Sequence, residues 1–260
     1  MQFYPKNHIL HNLLTTQWNY VKTLRWLTLS HKSPFILRAE KLCMKYNLQV
    51  DTPSNDEVYF PFPWSDLNSF ISTSFEIKCK KQDVSNDAIL SVFNDEIFNN
   101  FPDFCICFTY GSKNDVAVGA AVFIDNINLT FSWRIDCRHS ILMAELFAIL
   151  NCLLWVANQT FYRHVLICSD SLVALRLIGA YVVKTYRKIV TDIQKLLFKI
   201  KSKNIVVVLQ WIPSHSGIFG NEFTDSLAKN SCNYLVITDL NMEIDEYLSL
   251  VRKTFCHKIS

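Results

Sequence analysis

Three carboxylates mark the positions in this sequence where chemistry is most expected. Glu145 lies inside a long apolar run, Asp170 directly follows an apolar strand predicted at 164–169, and Asp225 lies in a helix predicted at 221–232. Sites in α/β sheets collect at the carboxyl ends of strands, so we expect these acids to meet at one edge of a sheet. Clustered carboxylates favour hard divalent cations such as Mg²⁺. Two such ions about 3.5–4 Å apart can hold the attacking water and the leaving oxygen of a phosphodiester.

Each acid also has a simpler structural interpretation. An acid placed like Asp170 often serves only as a helix cap, and one placed like Asp225 often serves only to complement a helix dipole. For an isolated acid these interpretations are the more common ones. Glu145 is harder to explain in this way, because a carboxylate inside an apolar helix is costly unless something pairs with it.

The elements that position these acids follow from periodicity and turn residues. Short connections between the first three strands favour antiparallel hairpins, whereas the apolar fourth strand favours a buried parallel position. Ser140 is the expected cap of the first long helix and Asn221 that of the last. The predicted order is strands 104–109, 117–124 and 128–135, a helix up to 158, strand 164–169, helices 170–181 and 186–202, strand 205–212 and helix 221–232. This order predicts an α/β fold, a five-stranded mixed sheet with helices on both faces.

Composition places the chain among globular proteins. Half of its 260 residues are apolar and 19% are charged, which excludes a disordered chain. Nine cysteines without a CxxC pair are interpreted as reduced residues of an intracellular protein, cytoplasmic or nuclear and not secreted. The first 20 residues contain no continuous apolar stretch, so no signal peptide is expected. The apolar run 141–157 is shorter than the roughly 20 residues of a membrane span, so we expect a buried helix and no membrane partner.

Glycine, proline and charge divide the chain into three parts. All five glycines lie between residues 111 and 220, and six of the seven prolines precede residue 103. We therefore predict an irregular and helical connection at 1–103, which does not join the sheet, an α/β domain at 104–232 and a helical tail at 233–260. The middle part has 13 basic and 8 acidic residues, a net charge of +5, and each flanking part has a net charge of −1. Any affinity for a polyanion is thus expected in the middle part.

Four short motifs occur in order along the middle part. They are CFTYGSK around Tyr110, MAELFAI around Glu145, ICSDSLVAL around Asp170 and WIPSHSGIFGNEFTDSLAK around Asp225. In order and spacing these motifs resemble the type 1 ribonuclease H domains of non-LTR retrotransposons, and the last one is highly specific. A looser likeness upstream, including LRAEKLCMKYNLQV, resembles the connection that follows reverse transcriptase in such elements. The chain thus resembles the C-terminal fragment of a longer retrotransposon polyprotein.

The resemblance implies a nuclease that cuts the RNA strand of an RNA–DNA hybrid with two Mg²⁺ ions. It implies that Glu145, Asp170 and Asp225 are catalytic and bind the metal. It also implies that His215, in a mobile loop, assists proton transfer and product release, since histidine exchanges protons near neutral pH. No small-molecule cofactor is expected, and we assume a monomer.

The sequence departs from the family at the first of its four acids. Tyr110 stands where the family pattern Thr-Asp-Gly-Ser has an aspartate that bridges both metal ions. A phenol is neutral at pH 7, binds Mg²⁺ poorly and is bulkier than a carboxylate. Asp103 and Asp115 lie at the far end of the strand and in the next hairpin, so neither replaces it. We expect the fold to survive and catalysis to be strongly impaired.

A nucleic-acid surface is expected beside the acids. Gly111, Ser112 and Ser171 are predicted to contact the RNA backbone or its 2′-hydroxyl groups. A charge run is usually only a solvated helix face, but next to a hybrid-cleaving fold it predicts a surface that follows phosphates. This run consists of Lys184, Arg187, Lys188, Lys195, Lys199, Lys201 and Lys203.

Two other functions are compatible with the same scaffold, because one fold hosts several chemistries. The first is a non-catalytic remnant that binds hybrid or duplex without cutting it. The second is a transposase or integrase. The Ser-His-Ser-Gly-Ile loop and the late acid in TDSLAK argue against the second.

Overall fold

A mixed sheet with helices on both faces positions the predicted site residues. The structure is a computed structural model, and it describes residues 67, 69–73, 85–180, 183, 185–243, 246–247 and 249–250. The strands are β1 Ile71–Ser72, β2 Cys105–Lys113, β3 Ala117–Ile124, β4 Leu129–Asp136, β5 His164–Ser169, β6 Val206–Trp211 and β7 Ile237–Thr238. The helices are α1 Asn86–Asn100, α2 Ile141–Asn158, α3 Leu172–Ile178, α4 Arg187–Lys201 and α5 Phe219–Ser231.

The strands form one sheet in the order β1-β6-β5-β2-β3-β4-β7. The central strand β2 pairs antiparallel with β3 and parallel with β5, as the hairpin and burial patterns predict. The predicted mixed sheet is thus confirmed, but it has seven strands and not five. The added strands have two residues each, with β1 parallel to β6 and β7 parallel to β4. The expectation that nothing before residue 104 joins the sheet is wrong for Ile71 and Ser72, because so short a strand has no period to detect.

The helix α2 begins and ends as its sequence predicts. The Ser140 side chain caps it by accepting a hydrogen bond from the Met143 N–H at 3.0 Å. Among the described helices, α2 alone is long and apolar enough to cross a membrane. Eleven of its residues are nevertheless buried within the protein, as in the core helix that we predict.

The two faces of the sheet carry separate cores. Cys105 and Cys107 of β2 point into the larger core, which α2, α3 and α4 cover. Phe108 points into the other core, where it meets Ile89 and Phe93 of α1. Helix α1 lies before residue 104 yet contributes to this core. The compact unit accordingly extends over Phe62–Glu246, while the boundaries at 103 and 232 stay a prediction.

Glycine allows α5 to lie directly against the sheet. A Cβ at Gly119 would stand 1.9 Å from the Ala228 carbonyl oxygen, and one at Gly220 would stand 2.1 Å from the Phe108 ring. The helix begins at Phe219, with Ile218 as a cap that makes no side-chain bond. The prediction that Asn221 caps this helix is therefore wrong, and Asn221 is buried inside its first turn. The helix α5 begins where its backbone packs closely on the sheet. A prediction from capping residues alone does not take such packing into account.

A buried acid joins the C-terminal segment to the start of α2. Glu246 Oε2 lies 2.8 Å from His139 Nδ1, and its Oε1 accepts a hydrogen bond from the Ser140 N–H at 2.7 Å. Both side chains of the pair are almost fully buried. A carboxylate at a helix N-terminus is favourable because it complements the helix dipole. Residues beyond 232 thus support the helix that carries Glu145.

Candidate active site

The structure brings the predicted acids together around Tyr110. Tyr110 belongs to β2 at the sheet centre, Glu145 to α2 on one face and Asp225 to α5 on the other, and Asp170 follows the end of β5. Burial is the largest cause of a raised pKa of the Tyr110 phenol, and nearby charges raise it further. Those charges belong to Asp170, Asp225, Glu145 and Glu222. The phenol is therefore protonated and neutral at pH 7, and the roles of the acids in catalysis stay predictions.

Glu145 is held by close contact with β2. A Cβ at Gly111 would lie 2.7 Å from the Glu145 backbone nitrogen and 3.0 Å from its carboxyl carbon, so only glycine fits there. The pKa of Glu145 is raised well above its ordinary value, first by burial and then by the charge of Asp170. A backbone hydrogen bond with Gly111 opposes this rise in pKa. Glu145 Oε2 is buried and has no hydrogen-bond partner among the described residues.

Asp225 enters the cluster from the opposite face of the sheet. Its Oδ2 accepts a hydrogen bond from Lys229 Nζ at 2.7 Å, one helical turn further along α5. Its Oδ1 is buried and makes no hydrogen bond within the described part of the chain. One oxygen of Asp225 is thus neutralised by a lysine, and the other is left for a further donor or a cation.

The His215 loop lies against the start of α5. His215 has a positive φ of 50°, and Gly217 follows with a φ of 80°, so the chain turns sharply before the helix. His215 Nδ1 stands 3.8 Å from Glu222 Oε2. His215, Glu222 and Asp225 each offer a ligand atom within 4.8 Å of the others. The predicted histidine therefore belongs to the same cluster as the last acid.

Glu222 and Lys229 are site residues that sequence reasoning missed. Glu222 contributes charge around Tyr110 and contacts His215. Lys229 could have been found from its spacing, because an acid and a lysine four residues apart on a helix face each other. Glu222 lies in the same motif as Asp225, three residues before it, but the resemblance implies a role for Asp225 and not for Glu222.

The predicted RNA-contacting residues lie beside the cluster in different settings. Gly111 is buried and packs directly on Glu145, so its backbone helps to hold the Glu145 side chain in place. Ser112 is half-buried on β2, where it pairs with Gly119. The Ser171 side chain caps α3 by accepting a hydrogen bond from the Ala174 N–H at 3.4 Å. Their contacts with RNA stay predictions.

The basic run follows α4, and only its beginning lies near the acids. Helix α4 runs in the same direction as α2, since Tyr186 before α4 bonds Ser140 at 2.8 Å and Lys203 after it bonds the Ala157 carbonyl at 2.7 Å. Its 15 residues span about 22 Å. The exposed members of the run are Arg187, Lys188, Lys195, Lys199, Lys201 and Lys203, and Lys184 lies outside the described residues.

The residues of the cluster suit one divalent cation and not two. Among the described residues, the group whose ligand atoms lie within 4.8 Å of one another is His215, Glu222 and Asp225, and Asp225 Oδ1 and Glu145 Oε2 are each buried oxygens without a hydrogen-bond partner there. Such oxygens suit a hard cation. Tyr110 adds no charged oxygen to this set, because its phenol is neutral. The ammonium group of Lys229 already occupies the other oxygen of Asp225. The donor set therefore does not fit the two-ion arrangement that the resemblance implies.

A mixed sheet in this strand order defines a ribonuclease H-like domain when one acid follows a central strand and one further acid comes from a helix on each face of the sheet. The family model described as RNase H matches residues 103–233, half of the chain. This chain belongs to the RNase H family. Members of the family typically depend on divalent metal ions.

Two solved structures are similar to part of the chain. One is the foamy viral protease-reverse transcriptase in complex with dsDNA, with 17% identity and a TM-score of 0.41 over 50% of this chain and 94% of that chain. Another is LC11-RNase H1 in complex with RNA/DNA hybrid, with 19% identity and a TM-score of 0.39 over 49% of this chain and 96% of that chain. No curated protein matches the sequence.

Proposed function

We propose that this chain is a ribonuclease H that recognises RNA–DNA hybrid and whose cleavage of the RNA strand is strongly impaired. Family membership supports the substrate class. The observation that carries the impairment is the neutral Tyr110 phenol among Asp170, Asp225 and Glu145. Tyr110 supplies no negative charge at the position where the family pattern has an aspartate.

The remaining acids support weak binding of one Mg²⁺ ion. Asp225 would hold it together with Glu222 and His215, whose ligand atoms lie within 4.8 Å of its own. Glu145 offers a further buried oxygen without a partner among the described residues. When bound, Mg²⁺ stabilises developing negative charge and lowers the pKa of a coordinated water. His215, exposed and 3.8 Å from Glu222, is placed to receive or deliver a proton at its imidazole nitrogens.

The second candidate is a non-catalytic module that binds hybrid or duplex. The ion pair between Lys229 and Asp225 favours it, because a lysine already balances part of the charge that a metal ion would balance. Tyr110 favours it for the same reason, since a phenol adds no charge. In this candidate the acids are remnants of a lost metal site.

The motifs also support an origin in a retrotransposon polyprotein. The replacement of aspartate by tyrosine needs one base change in the codon, which fits a decaying element copy. In this proposal residues 1–103 correspond to the connection after the reverse transcriptase, and 233–260 to a tail.

A cleavage assay separates the candidates. End-labelled RNA annealed to DNA is incubated with Mg²⁺ and the wild-type protein, Tyr110→Asp, Asp170→Asn or the double variant. We expect slow cleavage by the wild type, faster cleavage by Tyr110→Asp and none by the variants with Asp170→Asn.

Three results would change the assignment. Equal rates for the wild type and Tyr110→Asp would overturn the impairment by Tyr110. Retained hybrid binding without cleavage by either protein would favour the non-catalytic module. Cleavage that survives Asp170→Asn would place the activity outside this cluster.

A further inference from the structure

A ladder of aromatic rings runs from the core to an exposed ring at the start of α5. Phe108 and Phe123 are buried and stack with ring centroids 6.4 Å apart. Phe223 meets Phe123 edge to face at 4.9 Å, and Phe219 lies parallel to Phe223 at 5.8 Å with planes 9° apart. Phe219 is 70% exposed. The ladder therefore ends in a phenyl ring whose outer side faces solvent.

The backbone next to this ring lies tightly against the sheet, and a second ring supports one of its sides. Gly220, directly after Phe219, is pressed against the Phe108 ring so closely that no Cβ fits. Phe223 stands one helical turn further on and supports the inner side of Phe219. A ring held in this way loses little further freedom when a planar group stacks on it.

The ring lies on the same helix as two of the clustered acids, Glu222 and Asp225. It precedes Glu222 by three residues on α5, so the two side chains share a helix face, and it follows the His215 loop. His215, Glu222 and Asp225 offer ligand atoms within 4.8 Å of each other at this end of the helix. Among the exposed phenylalanines Phe98, Phe161 and Phe219, Phe219 stacks on a second ring, that of Phe223.

We propose that Phe219 is a stacking platform for an unpaired base of a nucleic acid bound at the carboxylate cluster. This inference rests on the proposed function. A base is favoured over a phosphate because the Phe219 ring offers a flat apolar face and no hydrogen-bond donor or positive charge. Every base presents a π-face, so the platform accepts any sequence. Inside a duplex the base faces are covered, so the ligand is a hybrid with a single-stranded extension.

Binding of two labelled hybrids tests the platform. One hybrid is blunt and the other carries an extension of about five nucleotides, within the range of single-strand site sizes. Fluorescence anisotropy is measured in EDTA, so that neither strand is cut. We expect the wild type to prefer the extended hybrid. Phe219→Ala should weaken binding of the extended hybrid about 5- to 150-fold, the range for one base–aromatic stack, and leave the blunt hybrid unchanged.

Three further variants make the test specific. Phe219→Trp should keep the preference, because it keeps an aromatic face. Phe219→Leu should lose it, because an aliphatic side chain fills space without stacking. Phe161→Ala is the matched control, since Phe161 is 87% exposed and lies before β5, at the end of the strand opposite to Asp170.

The outcomes distinguish this inference from the function on which it rests. Equal wild-type affinity for both hybrids, or full binding by Phe219→Leu, would overturn the stacking platform and leave hybrid recognition standing. Equal losses in Phe161→Ala and Phe219→Ala would overturn it as well. Failure of the wild type to bind either hybrid would overturn the proposed function and this inference together.

Discussion

The Tyr110 side chain changes what the neighbouring acids contribute. Three carboxylates near one another repel, and a neutral phenol among them adds no further charge. An aspartate at this position would increase the repulsion unless a cation balanced it. Tyr110 thus favours the metal-free state of the fold, while an aspartate would favour the metal-bound state.

The first prediction is a change in the response to magnesium. Tyr110→Asp should melt at a lower temperature than the wild type in EDTA, and its melting temperature should rise as MgCl₂ is added. Its affinity for Mg²⁺ should exceed that of the wild type by at least about ten-fold. Losing a residue that only supports a metal ligand already lowers metal affinity by about 10- to 100-fold. Tyr110→Asn is the control, since the asparagine side chain has the size of aspartate but carries no charge. A wild type that already gains as much stability from Mg²⁺ would contradict the prediction.

The second prediction concerns Glu145 and pH. In the folded protein the pKa of Glu145 is raised above its ordinary value of 4.5, chiefly by burial. As pH rises through 4.5 the unfolded chain loses this proton while the folded protein keeps it, so the wild type loses stability until the pH passes the raised pKa. Glu145→Gln removes that loss. Its stability relative to the wild type should therefore increase with pH above about 4.5 and be smallest at pH 4.

Denaturant unfolding in EDTA at pH 4, 6 and 8 measures this difference. A difference in unfolding free energy that stays constant over this range would mean that Glu145 keeps its ordinary pKa in the folded protein. Such a result would also argue against Glu145 Oε2 as a cation ligand.

The sequence singles out the three acids through the specificity of their motifs, and their catalytic roles stay predictions. Glu145, Asp170 and Asp225 come from three elements on different sides of the sheet, and only the fold brings them together. Lys229 belongs to a simple helical pair that spacing alone predicts. The contact between Glu222 and His215 depends on the positive φ of His215, which the sequence does not reveal for a residue other than glycine.

Among the elements, α1 contributes more than its position before the family match suggests. Its residues Ile89 and Phe93 fill the core around Phe108, on the face that α5 also covers. Its start is fixed by Ser85, which accepts a hydrogen bond from the Ala88 N–H at 3.3 Å. Removal of α1 would expose that core to water.

The third prediction tests this packing. Phe93→Ala should lower the free energy of unfolding by about 3–5 kcal/mol, the usual cost of removing a buried phenyl ring. Phe93 is 7% exposed, whereas Phe98 on the same helix is 78% exposed. Phe98→Ala should therefore change stability by less than about 0.5 kcal/mol. Equal effects of the two substitutions in denaturant unfolding would show that α1 does not belong to the folded core.

Sequence patterns located β3, β5 and α2 well, but they ended the longest strand, β2, at residue 109, although it extends to Lys113. Strands β3 and β5 have the predicted bounds, because their apolar runs end at clear turn residues. Helix α2 begins at its predicted serine cap. In contrast, β7 has two residues and α5 begins without a capping side chain, so neither leaves a local signal. Both depend on contacts between residues distant in sequence.

At the scale of the whole molecule, positive charge is distributed along α4 at different distances from the acids. Arg187 and Lys188 lie at the start of the helix, next to the beginning of α2. Lys199 and Lys201 lie at its far end, about 18 Å away along the axis. A strand bound at the acids would therefore meet the start of α4 first.

The fourth prediction follows from this distribution. Replacing Arg187 and Lys188 with glutamine should reduce the slope of log affinity for hybrid against log salt by about 0.9 for each phosphate that the protein no longer neutralises. Replacing Lys199 and Lys201 removes the same charge and should change the slope less. Titrations at several salt concentrations measure both. Equal reductions would show that the whole of α4 follows the nucleic-acid backbone.

The buried pair of His139 and Glu246 determines how the chain can be shortened for laboratory work. Glu246 lies beyond residue 233, where the family match ends. A recombinant fragment trimmed to the match would lose the acceptor of the Ser140 N–H at the head of the helix that carries Glu145. An inactive fragment of that kind would reveal a loosened helix and not the chemistry of Tyr110. Fragments intended to measure catalysis should therefore retain the chain at least as far as Glu246.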